Sequence, residues 1–157
     1  MKKIGNLGLF SALFALMLVA PALAAAPTHN VTGGGWFISA ESEGPNSVIG
    51  HECHFGIQVK AKDGVWTGTG SFMDKDYRLK AILTIDSRYE PDASNRYQVY
   101  GIARVYIDNK FIGEYPCQVV LRTEPQRFRI WLDDLGYEAS AVWSDEDLAI
   151  HGEIVIH

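Results

Sequence analysis

RYQVYGIARVYID, residues 96–108, changes character at nearly every step. Val99, Gly101, Ala103, Val105 and Ile107 fall on one side. Gln98, Tyr100, Arg104, Tyr106 and Asp108 fall on the other, with Ile102 the exception. Successive side chains of an extended chain point to opposite faces, so a period of two marks a half-buried strand. Asp108-Asn109-Lys110 then closes the run with a turn, where Asn109 tolerates a left-handed backbone at small cost.

The same period spreads in both directions. Upstream, Cys53, Phe55, Ile57, Val59 and Ala61 alternate with Gln58, Lys60 and Lys62, and Leu79, Ala81, Leu83 and Ile85 alternate with Lys80 and Thr84. Tyr77 is expected on the apolar side of that second strand. Downstream, Tyr115, Cys117, Val119 and Leu121 form one face, Phe128, Ile130 and Leu132 another, and Leu148, Ile150, Ile154 and Ile156 a last one. Polar turns separate the runs, among them Asp63-Gly64, residues 91–95 and Asp134-Leu135-Gly136. No stretch carries a helical period. The pattern predicts an all-β chain of about nine strands, a single antiparallel β-sandwich or a closed barrel.

VTGGGWF, residues 31–37, opens the folded part with three glycines. Glycine weakens a strand, so a row of them needs a reason. Close backbone approach is the expected one, with Trp36 or a neighbouring aromatic lying over the bare row. Gly68 and Gly70, flanked by Trp66 and Phe72, repeat the device. A phosphate-cradling loop would require a helix to follow, and a strand follows instead.

Before this strand, Lys2 and Lys3 precede an apolar run from Leu9 to Ala20, too short to span a bilayer comfortably. Pro21 and Ala22-Leu23-Ala24 complete a secretory signal peptide, residues 1–24, with residues 25–157 as one exported domain. The protein is therefore expected to be secreted or periplasmic, without stable membrane insertion once the leader is cut. The whole chain carries a net charge of −5, and the leader takes away two lysines and no acid. An acidic surface repels nucleic acid, which is not expected as a partner. Two cysteines, Cys53 and Cys117, remain, both at inward positions, and an even count in an exported chain predicts a disulfide between them.

Several short motifs resemble a group of bacterial exported β-domains, the post-COAP-type domains. They are V-T-G-G-G-W (Val31 to Trp36), H-F-G-I (His54 to Ile57), F-M-D (Phe72 to Asp74), Y-x-V-x-G-x-A (Tyr97 to Ala103) and G-E-I-V-I-H (Gly152 to His157). Relatives carry an acidic D-x-G-x-x-D stretch, of which Asp133 to Tyr137 keeps only part. The resemblance implies an exported, mostly-β domain, alone or appended to larger surface proteins, and implies no activity.

Candidate sites are few. His51-Glu52-Cys53-His54 puts only two of its four side chains on one face, short of the three or four ligands zinc needs. His151, Glu153 and His157 share the polar face of the last strand. Asp74-Lys75-Asp76 and Asp145-Glu146-Asp147 lack the spacing of a calcium loop, and Asp133-Asp134 before Gly136 is the better calcium candidate. No catalytic arrangement is readable and no cofactor is expected. Tyr100, Arg104, Tyr106, Arg127, Arg129 and Trp131 fall on outward parities, the composition of a recognition surface for a protein or glycan at the cell surface. The leading expectation is a non-enzymatic binding or structural module of surface, envelope or matrix. Gly34-Gly35-Trp36 also contains the G-x-W of lipocalin first strands, so a carrier of a small apolar ligand in a barrel is the alternative.

Overall fold

The computed structural model describes residues 30–40, 46–88, 96–141 and 150–157. The leader, residues 91–95 and Asp145-Glu146-Asp147 lie outside the described residues. The strands are β1 (Asn30–Ile38), β2 (Asn46–Ser47), β3 (Glu52–Lys62), β4 (Val65–Asp74), β5 (Leu79–Arg88), β6 (Arg96–Ile107), β7 (Lys110–Thr123), β8 (Gln126–Leu132), β9 (Tyr137–Ser140) and β10 (His151–Ile156). All belong to one sheet in the order β10-β1-β3-β4-β5-β6-β7-β8-β9-β2. Every described pairing is antiparallel except that of two-residue β2 with β9.

Consecutive strands pair because their turns permit it. Asp63 and Gly64 both take positive φ (53° and 77°), as do Asp108 and Asn109 (52° and 63°). Such turns match the twist of the strands they join. The sheet curls into a half-barrel, and register shifts at Ile85/Ser87 and Val105/Tyr106 add local bends. At one end its two flanks are laced together: Ala40 N–H donates to the Ser140 carbonyl (3.0 Å), and Ser140 N–H donates to Ser39 Oγ (3.2 Å).

Inside the curl sits one continuous core. Phe128 is fully buried, with its ring centroid 4.1 Å from Phe55, 5.8 Å from Phe37 and 6.1 Å from Phe72. Truncating an aromatic so enclosed costs about 3–5 kcal/mol. The alternation read from the sequence sets which residues fill this space. In β6, Tyr97, Val99, Ala103 and Val105 are buried while Ile102 is exposed. Tyr77 departs from expectation: it lies in the turn before β5 and is exposed, because Lys75 and Arg78 bond to each other there rather than extending the strand.

The expected disulfide is not made. Cys53 and Cys117 are free thiols, both buried in the core. They stand on β3 and β7, strands that are not neighbours: Cys53 pairs with Asp74, whereas Cys117 pairs with Gly101 and Leu132. Inward parity brought them into the same interior without bringing them together.

Candidate functional site

Three groupings of chemistry-bearing residues stand on this scaffold. The first is a buried knot at the end of β4. Asp74 is completely buried, and its carboxylate takes donors on both oxygens. Oδ1 accepts the Tyr77 N–H at 2.9 Å, Oδ2 accepts the Tyr137 hydroxyl at 2.8 Å, and His51 Nδ1 lies 3.1 and 2.9 Å from the two oxygens. Burial, then the nearby Cys53 and Asp74, pushes the Tyr137 phenol up, and burial likewise pushes up the Cys53 thiol. Both are held in the protonated form at neutral pH.

His51, Asp74 and Asp76 come within reach of one another, the kind of cluster that could hold a metal ion. Yet Asp74 is satisfied by three partners, and Asp76 Oδ2 accepts the Glu52 N–H at 2.9 Å. The cluster reads as a hydrogen-bonded clasp between β3 and the turn after β4. Beside it, Lys75 donates to Glu52, and His54 Nε2 lies 2.7 Å from the same Oε1. These partners hold the Glu52 carboxyl below its usual range.

The second grouping was not read from the sequence. On the outer face, His151 of β10, Trp36 of β1, His54 of β3, Met73 of β4 and Lys80 of β5 stand in register as one row. Trp36 stacks on His151 with centroids 3.9 Å apart and planes 12° from parallel, and remains 37% exposed. The next outward row is Gly34, Gly56 and Ser71. Between them opens a trough of about 570 Å3 lined by Gly35, Trp36, His54, Gly56, Met73 and Lys80 among others. Two further hollows continue it, sharing first Gly56 and Ser71, then Gln58 and Thr69. From His54 to Lys60 the course covers about 20 Å at the rise of a strand.

The glycines of β1 fall into two kinds. A Cβ on inward Gly35 would lie 2.6 Å from the His151 carbonyl oxygen and 2.9 Å from Gly152 Cα. That is the close approach the sequence led us to expect. A Cβ on outward Gly34 would meet nothing closer than 3.6 Å, and one on Gly56 only Ser71 Oγ at 3.6 Å. Among the described residues nothing asks for glycine at these two positions. The motifs G-G-G-W and H-F-G-I were visible in the sequence, but only the β1–β3 register sets Gly34 opposite Gly56.

The third grouping is the outward face of β6, β7 and β8, where the six residues expected to form one recognition surface divide in two. Tyr100, Gln118 and Trp131 stand in one row, followed by Gln98, Val120 and Arg129, then Arg96, Arg122 and Arg127. Arg104 and Tyr106 lie beyond the Ile102–Pro116 row. Arg104 faces Glu114 at 3.4 Å and sits 5.5 Å from the centre of the Phe111 ring, and Tyr106 lies 5.5 Å from Phe111 in turn. Arg129 is gripped by the buried Glu138, Nε to Oε1 at 2.5 Å, and its guanidinium lies 4.0 Å over Trp131.

Asp133 and Asp134, the calcium candidates, are exposed on a 3-10 turn, Asp133–Leu135, that ends at left-handed Gly136. Among the described residues no third acid, histidine or cysteine joins them in a metal-sized cluster. Nor, among those residues, is any helix long and apolar enough to cross a membrane. Comparison with family models, curated proteins and solved structures found no match to this chain.

Proposed function

We propose that this protein is an exported, non-enzymatic β-domain that binds an extended glycan of the cell surface or matrix in the trough across β1, β3 and β4. One observation carries the reading. Gly34 and Gly56 sit side by side on the outer face with room for a side chain, and a strand gives up about 0.5–1 kcal/mol for each glycine it keeps. Glycine without a packing reason marks close approach by something outside the fold.

The surroundings fit a sugar chain. Trp36, fixed by its stack on His151, presents an apolar plane, and Met73 faces it across His54. Ser71, Gln58, Thr69 and Lys80 supply hydroxyl, amide and ammonium groups along the same course. A flat aromatic with a few placed polar groups is how a small hydroxylated ring is held. The continuous course favours an oligomer over a single small molecule.

Export rests on the leader, which we take as a signal peptide removed from a secreted or periplasmic protein. The lacing of Ala40 to Ser140 supports reading the curl as one end of a closed barrel. The motif-level likeness to post-COAP-type domains accords with this placement. A lipocalin-like carrier would need an interior cavity where the Phe37, Phe55, Phe72 and Phe128 rings sit.

Retention on neutral polysaccharides, read by affinity electrophoresis through β-glucan, xylan and chitin-derived gels, tests the reading. The native domain is expected to be retarded by at least one. Trp36→Ala and Gly56→Val are each expected to weaken that retention about tenfold or more, the second by filling the trough. Equal retention of all three proteins would refute the site, and no retention of the native domain on any gel would refute the function.

A further inference from the structure

The sheet ends differently on its two sides. At one end lies β2, only two residues long and paired with four-residue β9, all of whose residues are buried. Shortness is one way a protein blunts an exposed edge. At the other end lies β10, in unbroken register with β1 over six pairs. It has none of the usual guards: no proline, no lysine, no bulge, and no charge on its inward side.

The hydrogen bonding of β10 fixes which of its groups are left over. Asn30 and His157 exchange both backbone bonds: His157 N–H donates to the Asn30 carbonyl at 2.7 Å, and Asn30 N–H donates to the His157 carbonyl at 3.2 Å. Bonded and non-bonded pairs alternate along an antiparallel ladder. Val155, Glu153 and His151 therefore also turn to β1, opposite Thr32, Gly34 and Trp36. Gly152, Ile154 and Ile156 turn their N–H and C=O groups the other way, where among the described residues no strand meets them. Gly152 is exposed there. Such a row of backbone groups is a template for another strand.

We propose that β10 is the docking edge for a second copy of this chain, pairing antiparallel with its own counterpart across a two-fold axis through Ile154. The pattern of the strand selects both that partner and that register. With Ile154 opposite Ile154, Gly152 stands opposite Ile156 at either end, and the left-over residues of the two copies exchange six bonds. Bare Gly152 leaves space for the Ile156 side chain, and isoleucine meets isoleucine at the centre. On the outward side Glu153 lies opposite Val155 and His151 opposite His157, so no acid directly faces an acid. A two-fold through Glu153 would set two carboxylates against each other, and one through Val155 would carry Gly152 past the end of its partner strand. The pairing does not depend on the trough reading, but it sets two troughs on the same side of one continuous sheet.

The test measures the mass of the exported chain, residues 25–157, by sedimentation and light scattering across a range of concentrations. Two six-residue strands make a contact small beside a standard interface, so the dimer is expected to form at about 10–100 μM. Val155→Glu sets an acid opposite Glu153 on both sides of the axis and is expected to weaken association about fivefold or more. Val155→Lys sets a base at the same place and is expected to keep association or tighten it. Both substitutions are on the outward side of the strand, and their melting temperatures check that each variant is folded.

A crosslink reads the register directly. Opposite Cα atoms of a non-bonded antiparallel pair lie about 4.5 Å apart, within reach of a disulfide. An equimolar mixture of the Glu153→Cys and Val155→Cys variants is expected to give a disulfide-linked dimer on mild oxidation, well in excess of either variant alone. Cys53 and Cys117 are buried and take no part. A monomer at every concentration up to about 1 mM would overturn the proposal. So would equal weakening by the glutamate and the lysine, or a mixture that crosslinks no better than its components. Were the position-155 charge variants to unfold, native association and the crosslink would decide together.

Discussion

The inner and outer faces of the same strands respond oppositely to the addition of one methyl group. On the inner face, a Cβ at Gly35 would collide with the backbone of β10, and one at Gly68 would lie 2.5 Å from the Gln58 carbonyl oxygen. On the outer face, Gly34 and Gly56 have room to spare. Polar groups do not divide so cleanly: inside, Asp74 has three partners while the buried Ser140 Oγ has none among the described residues. The outer glycines, which no contact among the described residues requires, are the ground on which the trough reading stands.

The largest effect expected from this contrast is at Gly35. Gly35→Val pushes a branched side chain into main-chain atoms, which cannot swing aside as a side chain can. Overpacking of this kind costs typically 1–3 kcal/mol and here at least the upper end. Urea denaturation should show that loss or an unfolded product. A stability within about 0.5 kcal/mol of native would mean that the close approach of β1 to β10 is not real.

Next comes the Asp74 knot. Tyr137→Phe removes one donor from a buried carboxylate and leaves the ring in place, at an expected cost of about 1.5–3 kcal/mol. The inner face also makes a claim on the thiols. Burial pushes Cys117 up to about 12 and Cys53 further still, so each is protonated and shielded. The raised values mean that this contribution to stability is complete below the unfolded thiol pKa and is lost as pH rises through the folded one. Ellman's reagent should find no reactive thiol in the native protein and two after unfolding without reductant. Two thiols that stay silent after unfolding would restore the bridge that the fold does not make.

On the outer face the same chemistry changes sign. Gly34→Ala and Gly56→Val should leave stability unchanged or raise it by about 0.5–1 kcal/mol, since each trades a flexible residue for one that suits a strand. Pairing that result with the loss at Gly35 within β1 alone would separate the two kinds of glycine. A clear loss at Gly56 would return it to the structural set and remove the argument for the trough.

How much of this was legible beforehand depended on whether a feature is local. Strand parity is local, and the buried set of β6 follows from alternation alone. The hairpins at Asp63-Gly64 and Asp108-Asn109 were equally readable, because the residues that permit a left-handed backbone are next to each other. Pairing register is not local. The expectation that Tyr100, Arg104, Tyr106, Arg127, Arg129 and Trp131 form one surface took their shared parity as proximity, and the Ile102–Pro116 row divides them. Arg96 and Arg122 were passed over for the same reason: nothing next to them in sequence announces that they stand opposite Arg127. Cys53 and Cys117 made the error in reverse, correct in facing inward and mistaken in being joined.

The smallest expected effect lies where the outer face meets the clasp. Glu52 is partly exposed and held below the usual carboxylate range by hydrogen bonds from Lys75 and from His54. A depressed folded pKa contributes stability above the unfolded value and loses it as pH falls through the folded one. Exposed pairs are screened, so Glu52→Gln should lower the melting temperature only slightly at neutral pH and low salt. The gap should close on acidification below the ordinary carboxylate range, and again in concentrated salt. A gap that persists under both conditions would mean that Glu52 acts through its backbone position beside Asp76 rather than its charge, tying it to the buried clasp instead of the open surface.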